Sequence, residues 1–145
     1  MGKLVSYIDG LDDAAIRTIL ATTRRIALVG ASANPARPSN HVMQFLIARG
    51  YMVTPVNPGL AGQSLHGIEV VASLDDAAPL DMVDLFRAAD KLMPAIDDAI
   101  RLNASTIWMQ LGVINHAAAA RARAAGLRVV MNRCPATEAP RLAMS

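Results

Sequence analysis

A chain of 145 residues, 53% of them hydrophobic, can bury the core of one domain but leaves no room for a second catalytic domain. No apolar run approaches the roughly 20 residues that a membrane-spanning helix requires, and the amino terminus lacks the pattern of a secretory signal, so we expect a soluble, cytoplasmic protein. A net charge of only +2 and an aromatic content of 3% argue against a nucleic-acid-binding groove.

The first half of the chain predicts two helices and two buried strands. Residues 12–22 place apolar side chains at helical spacing behind an acidic first turn, as in an amphipathic helix. The apolar run over residues 25–29 ends at Gly30 and is typical of a strand buried on both faces of a parallel sheet. Ser39 is expected to cap a helix that ends before Gly50. Residues 51–56 predict a second strand, which stops at a turn.

The second half of the chain continues this alternation. Residues 68–72 predict a short edge strand, and Ser73 is expected to cap a brief helical turn. Further strands are predicted at residues 82–86, 105–111 and 127–131, and helices at residues 91–102 and 115–125.

This alternation predicts an α/β fold, a single Rossmann-like, doubly wound parallel sheet with helices on both faces. The expected strand order is about 3-2-1-4-5-6. We assign residues 1–24 to an amino-terminal helix that packs on the domain, residues 25–138 to the Rossmann-like domain and residues 139–145 to a carboxyl-terminal tail.

Ligands of such folds bind outside the carboxyl ends of the strands, where the strand order reverses. Arg37, Arg87 and Arg133 all follow predicted strands and are expected at this edge. The planar guanidinium group suits phosphate, and so does the positive end of the helix that begins near Ser39. These residues favour a poly-anionic ligand.

The loop after the first strand differs from the dinucleotide-binding fingerprint. Ser32 stands where the second glycine of that fingerprint approaches the pyrophosphate. The second strand ends at Asn57 and Pro58, with no nearby carboxylate for the ribose hydroxyls of NAD. NAD is therefore disfavoured, and a small NAD(P)-dependent oxidoreductase is kept as an alternative.

Several segments, in order and at family-like spacing, resemble one known family. They are V-G-A-S with R-P-S downstream, P-V-N-P, V-D-L-F-R, W-M-Q-L-G and V-V-M-N-R-C-P. From about Arg25 to Glu138 the chain resembles the stand-alone CoA-binding domain family, which is related to the nucleotide-binding domain of succinyl-CoA synthetase α-subunits. The resemblance implies that the ligand is coenzyme A or an acyl-CoA.

The resemblance also implies which residues hold each part of the ligand. The pyrophosphate would lie in the loop after the first strand and at the following helix, at Gly30, Ala31, Ser32 and Ser39, with Arg37 near a phosphate of the 3′-phospho-ADP part. The nucleotide would pass the next strand ends, at Asn57, Pro58, Phe86 and Arg87. The pantetheine arm would approach the last two strands, at Gln110, Gly112, Asn132 and Cys134.

Catalytic machinery is not evident in the sequence. The three histidines do not have the spacing of metal ligands, and Cys134 has no histidine beside it in sequence, so a small buried thiol is favoured over thiol exchange with the ligand. The related synthetases carry a phosphohistidine on a second domain and use an ATP-binding partner. We therefore expect a non-catalytic sensor, carrier or regulator that binds CoA, with a subunit of an acyl-CoA ligase complex as an alternative. No nucleic-acid or membrane partner is expected, and a protein partner stays open.

Overall fold

The computed structural model describes residues 8–144. Residues 1–7 of the predicted amino-terminal segment and Ser145 of the predicted tail lie outside the described residues. The helices are α1 (Asp13–Thr22), α2 (Pro38–Ala48), α3 (Met93–Arg101), α4 (His116–Ala124) and α5 (Pro135–Arg141). The strands are β1 (Arg25–Val29), β2 (Met52–Val56), β3 (Ser64–Leu65), β4 (Ile68–Glu69), β5 (Met82–Leu85), β6 (Thr106–Met109) and β7 (Arg128–Val130).

Five of the strands form one parallel sheet in the order β2-β1-β5-β6-β7. The first strand, β1, is an inner strand of this sheet, with β2 on one side of it and β5, reached by a crossover, on the other. The predicted α/β, Rossmann-like, doubly wound fold is thereby confirmed. Most strand residues are apolar and buried because helices cover both faces of the sheet.

The third strand of the predicted order is nearly absent. Of residues 68–72, only Val71 joins the sheet, through a single parallel bridge to Val56. The preceding residues instead form the short antiparallel hairpin β3–β4. Gly67, at a φ of 81°, allows the chain to reverse so early that little length is left for a full edge strand.

The two faces of the sheet carry separate apolar layers. Helices α1, α2 and α5 cover one face, where Ile16, Met43 and Trp108 are fully buried. Helices α3 and α4 cover the other face, where Ile96 and Ile107 are fully buried. Among the described residues, no helix is both long and apolar enough to cross a membrane.

The two ends of the described chain pack together on the first of these faces. Asp12 caps α1 by accepting a hydrogen bond from the Ala15 N–H at 2.9 Å, and Ile16 and Ile19 of α1 are buried in this apolar layer. Helix α5 was not predicted and takes up the first residues of the expected tail. Its Ala139 and the following Leu142 are buried in the same apolar layer.

The adjacent strands β1 and β5 position the candidate site. The loop after β1 leads to α2 on one face, whereas the loop after β5 leads to α3 on the opposite face. Two neighbouring loops that diverge in this way open a crevice at the carboxyl edge of the sheet.

Candidate ligand-binding site

A cavity of about 540 Å³ lies between the loop after β1 and the start of α2. Its wall carries backbone and small polar side chains and one cation, Arg37. It is lined by Gly30, Ala31, Ser32, Ala33, Asn34, Arg37, Pro38, Ser39, Asn57, Gly59, Leu60 and Phe86. The structure thus brings together the predicted residues of the first strand loop, Asn57 and Phe86.

Gly30 fixes the point where the two diverging loops meet. Its φ is +89°, and a Cβ at this position would lie 2.4 Å from the carbonyl oxygen of Phe86. The N–H groups of Gly30 and Ala31 both donate to the carbonyl of Val56, at 3.1 and 3.3 Å. Only glycine permits this backbone contact, so the residue is required by the close approach of the loops as well as by its φ.

The rest of the loop is held by its own polar side chains. The Asn34 N–H donates to Ser32 Oγ at 3.1 Å, and the Ala36 N–H donates to Asn34 Oδ1 at 2.9 Å. From outside the loop, Asn57 Nδ2 donates to the Ala31 carbonyl at 2.8 Å. These bonds order the loop before any ligand arrives, which lowers the entropic cost of binding.

Helix α2 begins at Pro38, two residues earlier than a cap at Ser39 predicts, and Ser39 does not cap it. Arg37 occupies the N-cap position and Pro38 the first helical position, where its missing N–H costs nothing. Ser39 is the second helical residue and is buried in the cavity wall. The first turn holds no acidic residue, so the positive end of the helix dipole faces the cavity without a built-in counter-charge.

A second cavity of about 290 Å³ lies on the other side of Gly30 and Asn57, which line both cavities. Its remaining wall comes from the ends of β1 and β2, from the segments after β2, β4 and β5, and from α3. These residues are Val29, Val56, Pro58, Ala72, Ser73, Leu74, Arg87, Lys91, Pro94, Ala95 and Asp98. Arg87 and Lys91 are exposed cations. Within residues 8–144, no carboxylate lies within ion-pair distance of Arg37, Arg87 or Lys91.

Lys91 and Asp98 were not predicted as site residues. Lys91 lies four residues beyond Arg87, so a prediction that extended further along the segment after β5 would have included it. Asp98 is engaged by Arg101 Nη2 at 2.9 Å, and the same guanidinium binds Asp75 at 2.7 Å, so α3 is tied to the turn that carries Ser73. Because Arg101 neutralises Asp98, the cations Arg87 and Lys91 are the dominant charges of the second cavity.

The four residues expected near a pantetheine arm lie at the same sheet edge but line neither cavity. Asn132 Oδ1 accepts a hydrogen bond from the Gly112 N–H at 2.7 Å, which fixes the loop after β6 to the end of β7. Gln110 is buried, and its Oε1 has no hydrogen-bond partner among the described residues. Cys134 is 9% exposed and packs in the apolar layer beneath α5.

Arg133 corrects the prediction of three phosphate-binding arginines at this edge. Its side chain is 1% exposed and is enclosed by Asp9 and Glu138, with nitrogen to oxygen distances of 2.8 Å to each. Burial alone would raise the pKa of Asp9, but hydrogen bonds from Arg133, Leu11 and Met131 hold that pKa below its ordinary value. Arg133 therefore joins the amino-terminal segment to α5 and is not available to a ligand.

Asp84 is the one fully buried carboxyl inside the described part of the sheet. It lies on β5 between Leu28 of β1 and Trp108 of β6, and neither of its oxygens has a hydrogen-bond partner among residues 8–144. Burial raises the pKa of the Asp84 carboxyl well above its usual value. It lines neither cavity, so we place it in the core and outside the candidate site.

Proteins of known sequence and structure resemble this chain over most of its length. The uncharacterized protein YneT of Bacillus subtilis strain 168 is 33% identical over 122 residues, which cover 83% of this chain and 89% of YneT. A solved hypothetical protein from Pyrococcus horikoshii OT3 is 38% identical, with a TM-score of 0.91 over 98% of this chain and 99% of that one.

A much larger enzyme contains the same fold. The solved dinucleotide-forming acetyl-coenzyme A synthetase 1 of Ca. Korarchaeum cryptofilum is 23% identical with a TM-score of 0.64, and the match covers 74% of this chain but only 26% of that enzyme. At this identity the likeness concerns the fold alone. The family model described as CoA binding domain matches residues 24–140, and the chain therefore belongs to the CoA binding domain family.

Proposed function

We propose that this protein binds coenzyme A or an acyl-CoA across the carboxyl edge of its sheet. The observation that carries the proposal is the pair of adjoining cavities that meet at Gly30 and Asn57. One offers an ordered loop and an uncompensated helix start beside Arg37, and the other offers Arg87 and Lys91. Membership of the CoA binding domain family gives this anion-binding site its most direct interpretation.

The proposed pose follows the charges. The pyrophosphate lies in the first cavity, against Ser32, Ser39 and Arg37, where backbone N–H groups and the helix dipole favour negative charge. The 3′-phospho-adenosine lies in the second cavity, beside Pro58, with its phosphate close to the cations that follow β5.

The pantetheine arm runs from the pyrophosphate along the carboxyl ends of β5, β6 and β7. It passes Phe86 and then the fixed loop at Gly112 and Asn132, towards Gln110 and Cys134. Adjacent strands lie roughly 4.8 Å apart, so the three steps from β1 to β7 span about 14 Å.

We further propose that the bound ligand is sensed, carried or presented to a partner without being converted by this chain. Among the described residues that line the two cavities there is one carboxylate, Asp98, which Arg101 already engages, and neither histidine nor cysteine. Such walls supply cations and hydrogen-bond donors for binding but no acid-base pair.

A nicotinamide dinucleotide is the rival ligand. An NAD site requires an acidic residue at the end of β2, and Asn57 stands there instead. Its amide is already used on both sides, because Nδ2 donates to the Ala31 carbonyl and Oδ1 accepts from the Gly59 N–H at 2.8 Å. These contacts favour coenzyme A over NAD.

Calorimetric titration and thermal unfolding with CoA, acetyl-CoA, NAD and NADP test the proposal. We expect saturable binding of CoA, and a stabilisation of about 2.7 kcal/mol at a hundredfold excess over Kd. Stabilisation by NAD without any by CoA would overturn the proposed ligand. Hydrolysis of ATP that depends on both CoA and a copurifying protein would instead support a ligase subunit.

Charge-removing variants test the proposed pose. Because a hydrogen bond to a charged group contributes roughly 1.5–3 kcal/mol, Arg37→Ala and Arg87→Ala should each weaken CoA binding roughly tenfold to a hundredfold. Binding of pantetheine, which has no phosphate, should change far less. Arg123→Ala, an exposed arginine on α4, is the matched control and should bind CoA as the wild type does. Equal losses for CoA and pantetheine would show that neither arginine meets phosphate.

A further inference from the structure

The β3–β4 hairpin turns through His66 and Gly67, which have φ angles of 49° and 81°. A two-residue hairpin turn with both residues at positive φ is of type I′, and its first position favours asparagine, aspartate or glycine. Histidine tolerates this conformation better than most residues but is not the residue that the turn itself selects. Its presence here is better explained by what its side chain contacts.

The His66 ring reaches the first turn of α2. Its Nε2 lies 3.0 Å from Asn40 Oδ1 and 3.2 Å from the Asn40 carbonyl oxygen. Both partners are oxygen acceptors, so Nε2 carries the proton and donates to them. The Asn40 amide has a fixed orientation because its Nδ2 donates to the Ser32 carbonyl at 2.9 Å.

These bonds form a relay from the hairpin through Asn40 to Ser32. Asn40 is 6% exposed and lies outside the wall of the first cavity, whereas Ser32 is part of that wall. A change at His66 therefore reaches the cavity through one buried side chain. Because Ser32 Oγ also holds the Asn34 N–H, the relay bears on the conformation of the whole loop after β1.

We infer that His66 is a positioning residue for the anion-binding loop, acting through Asn40 to hold Ser32 in its binding conformation. This inference rests on the proposed coenzyme A site. It assigns the otherwise unexplained hairpin a role in ligand affinity, although His66 itself does not line the cavity.

Two substitutions at one position separate this role from a merely structural one. His66→Asn suits the type I′ turn at least as well as histidine but is too short to reach Asn40. His66→Gln strains the turn but carries an amide N–H that reaches about as far as Nε2 of histidine. Gln63→Ala, at an exposed position before β3, is the matched control.

We expect His66→Asn to unfold at a temperature equal to or above that of the wild type, yet to bind CoA roughly threefold to tenfold more weakly. His66→Gln should restore most of that affinity despite a lower unfolding temperature, and Gln63→Ala should leave it unchanged. Wild-type affinity in His66→Asn would overturn the inference. Equal weakening in both His66 variants would overturn it too, because the donated hydrogen bond would then be irrelevant.

A measurement on the ligand-free protein keeps this test separate from the proposed function. The relay predicts that the side-chain amide protons of Asn40 exchange with solvent more slowly in the wild type and His66→Gln than in His66→Asn. If the wild type binds no CoA, the proposed function fails, and the exchange rates still decide whether His66 holds the loop. Identical exchange in all three proteins would overturn the relay whether or not CoA binds.

Discussion

Replacement of Gly30 by alanine tests the closest backbone contact at the candidate site. The added Cβ would lie 2.4 Å from the Phe86 carbonyl oxygen, about 0.6 Å inside the shortest distance that real Cβ atoms tolerate, and the φ of +89° is itself unfavourable for alanine. Gly50 offers a matched control because its φ is +94° and a Cβ there would meet nothing within 4 Å.

The two variants share one energetic cost and differ in the other. Backbone strain at a positive φ costs roughly 1–3 kcal/mol in both, while overpacking against rigid backbone adds roughly 1–3 kcal/mol in Gly30→Ala alone. We therefore expect Gly30→Ala to lose about 2–6 kcal/mol of unfolding free energy, and Gly50→Ala about 1–3 kcal/mol. Only Gly30→Ala should also weaken CoA binding, since the clash separates the two loops that border the cavities.

Urea denaturation followed by circular dichroism measures these losses as shifts of the transition midpoint at constant slope. Calorimetric titration with CoA gives the second readout. Equal destabilisation by the two substitutions would refute the argument from the Phe86 contact. A destabilised Gly30→Ala that still bound CoA with wild-type affinity would refute the link between that contact and the site.

Two further predictions concern buried charge. The pKa of the Asp84 carboxyl is raised in the folded state, so the native protein holds a proton that the unfolded chain releases. The free energy of unfolding should therefore fall by about 1.4 kcal/mol per pH unit as the pH rises from the pKa of Asp84 in the unfolded chain to its pKa in the folded protein. Asp84→Asn should abolish this pH dependence, which is measured by urea denaturation at a series of pH values. An unchanged dependence would mean that another group causes it. Arg133→Met leaves the Asp9 carboxylate buried without its cation, whereas Glu138 keeps Arg141 at 3.1 Å; the loss should be about 3–5 kcal/mol at neutral pH in the same assay. A loss below about 1 kcal/mol would mean that water reaches the Asp9 carboxylate.

The sheet could be predicted from sequence because its strands are apolar runs that end at glycine, proline or a polar turn. β1 stops at Gly30 and β2 stops before Asn57, as expected. Residues 68–72 form an equally apolar run, yet only Val71 pairs with the sheet. The hairpin turn at Gly67 lies just before that run, and local composition does not reveal how much of it the hairpin consumes.

The side-chain details of the site were less predictable. Arg133 follows β7 as expected, but its partner Asp9 is 124 residues away, and sequence spacing gives no information on such a pair. Ser39 was expected as the cap because serine is a favoured capping residue, whereas Pro38 is the stronger signal, since proline prefers the first helical position. The relay through His66 and Asn40 depends on a tertiary contact that no local pattern encodes.

Amide chemical-shift mapping with CoA tests the central claim most directly. We expect saturable shifts at the loop after β1, at Gly30 and Ser32, together with Asn57 and Arg87 at the neighbouring strand ends. NAD at the same concentrations should leave these signals unchanged. The absence of saturable shifts with CoA, or shifts confined to the opposite edge of the sheet, would contradict a coenzyme A site between the two loops.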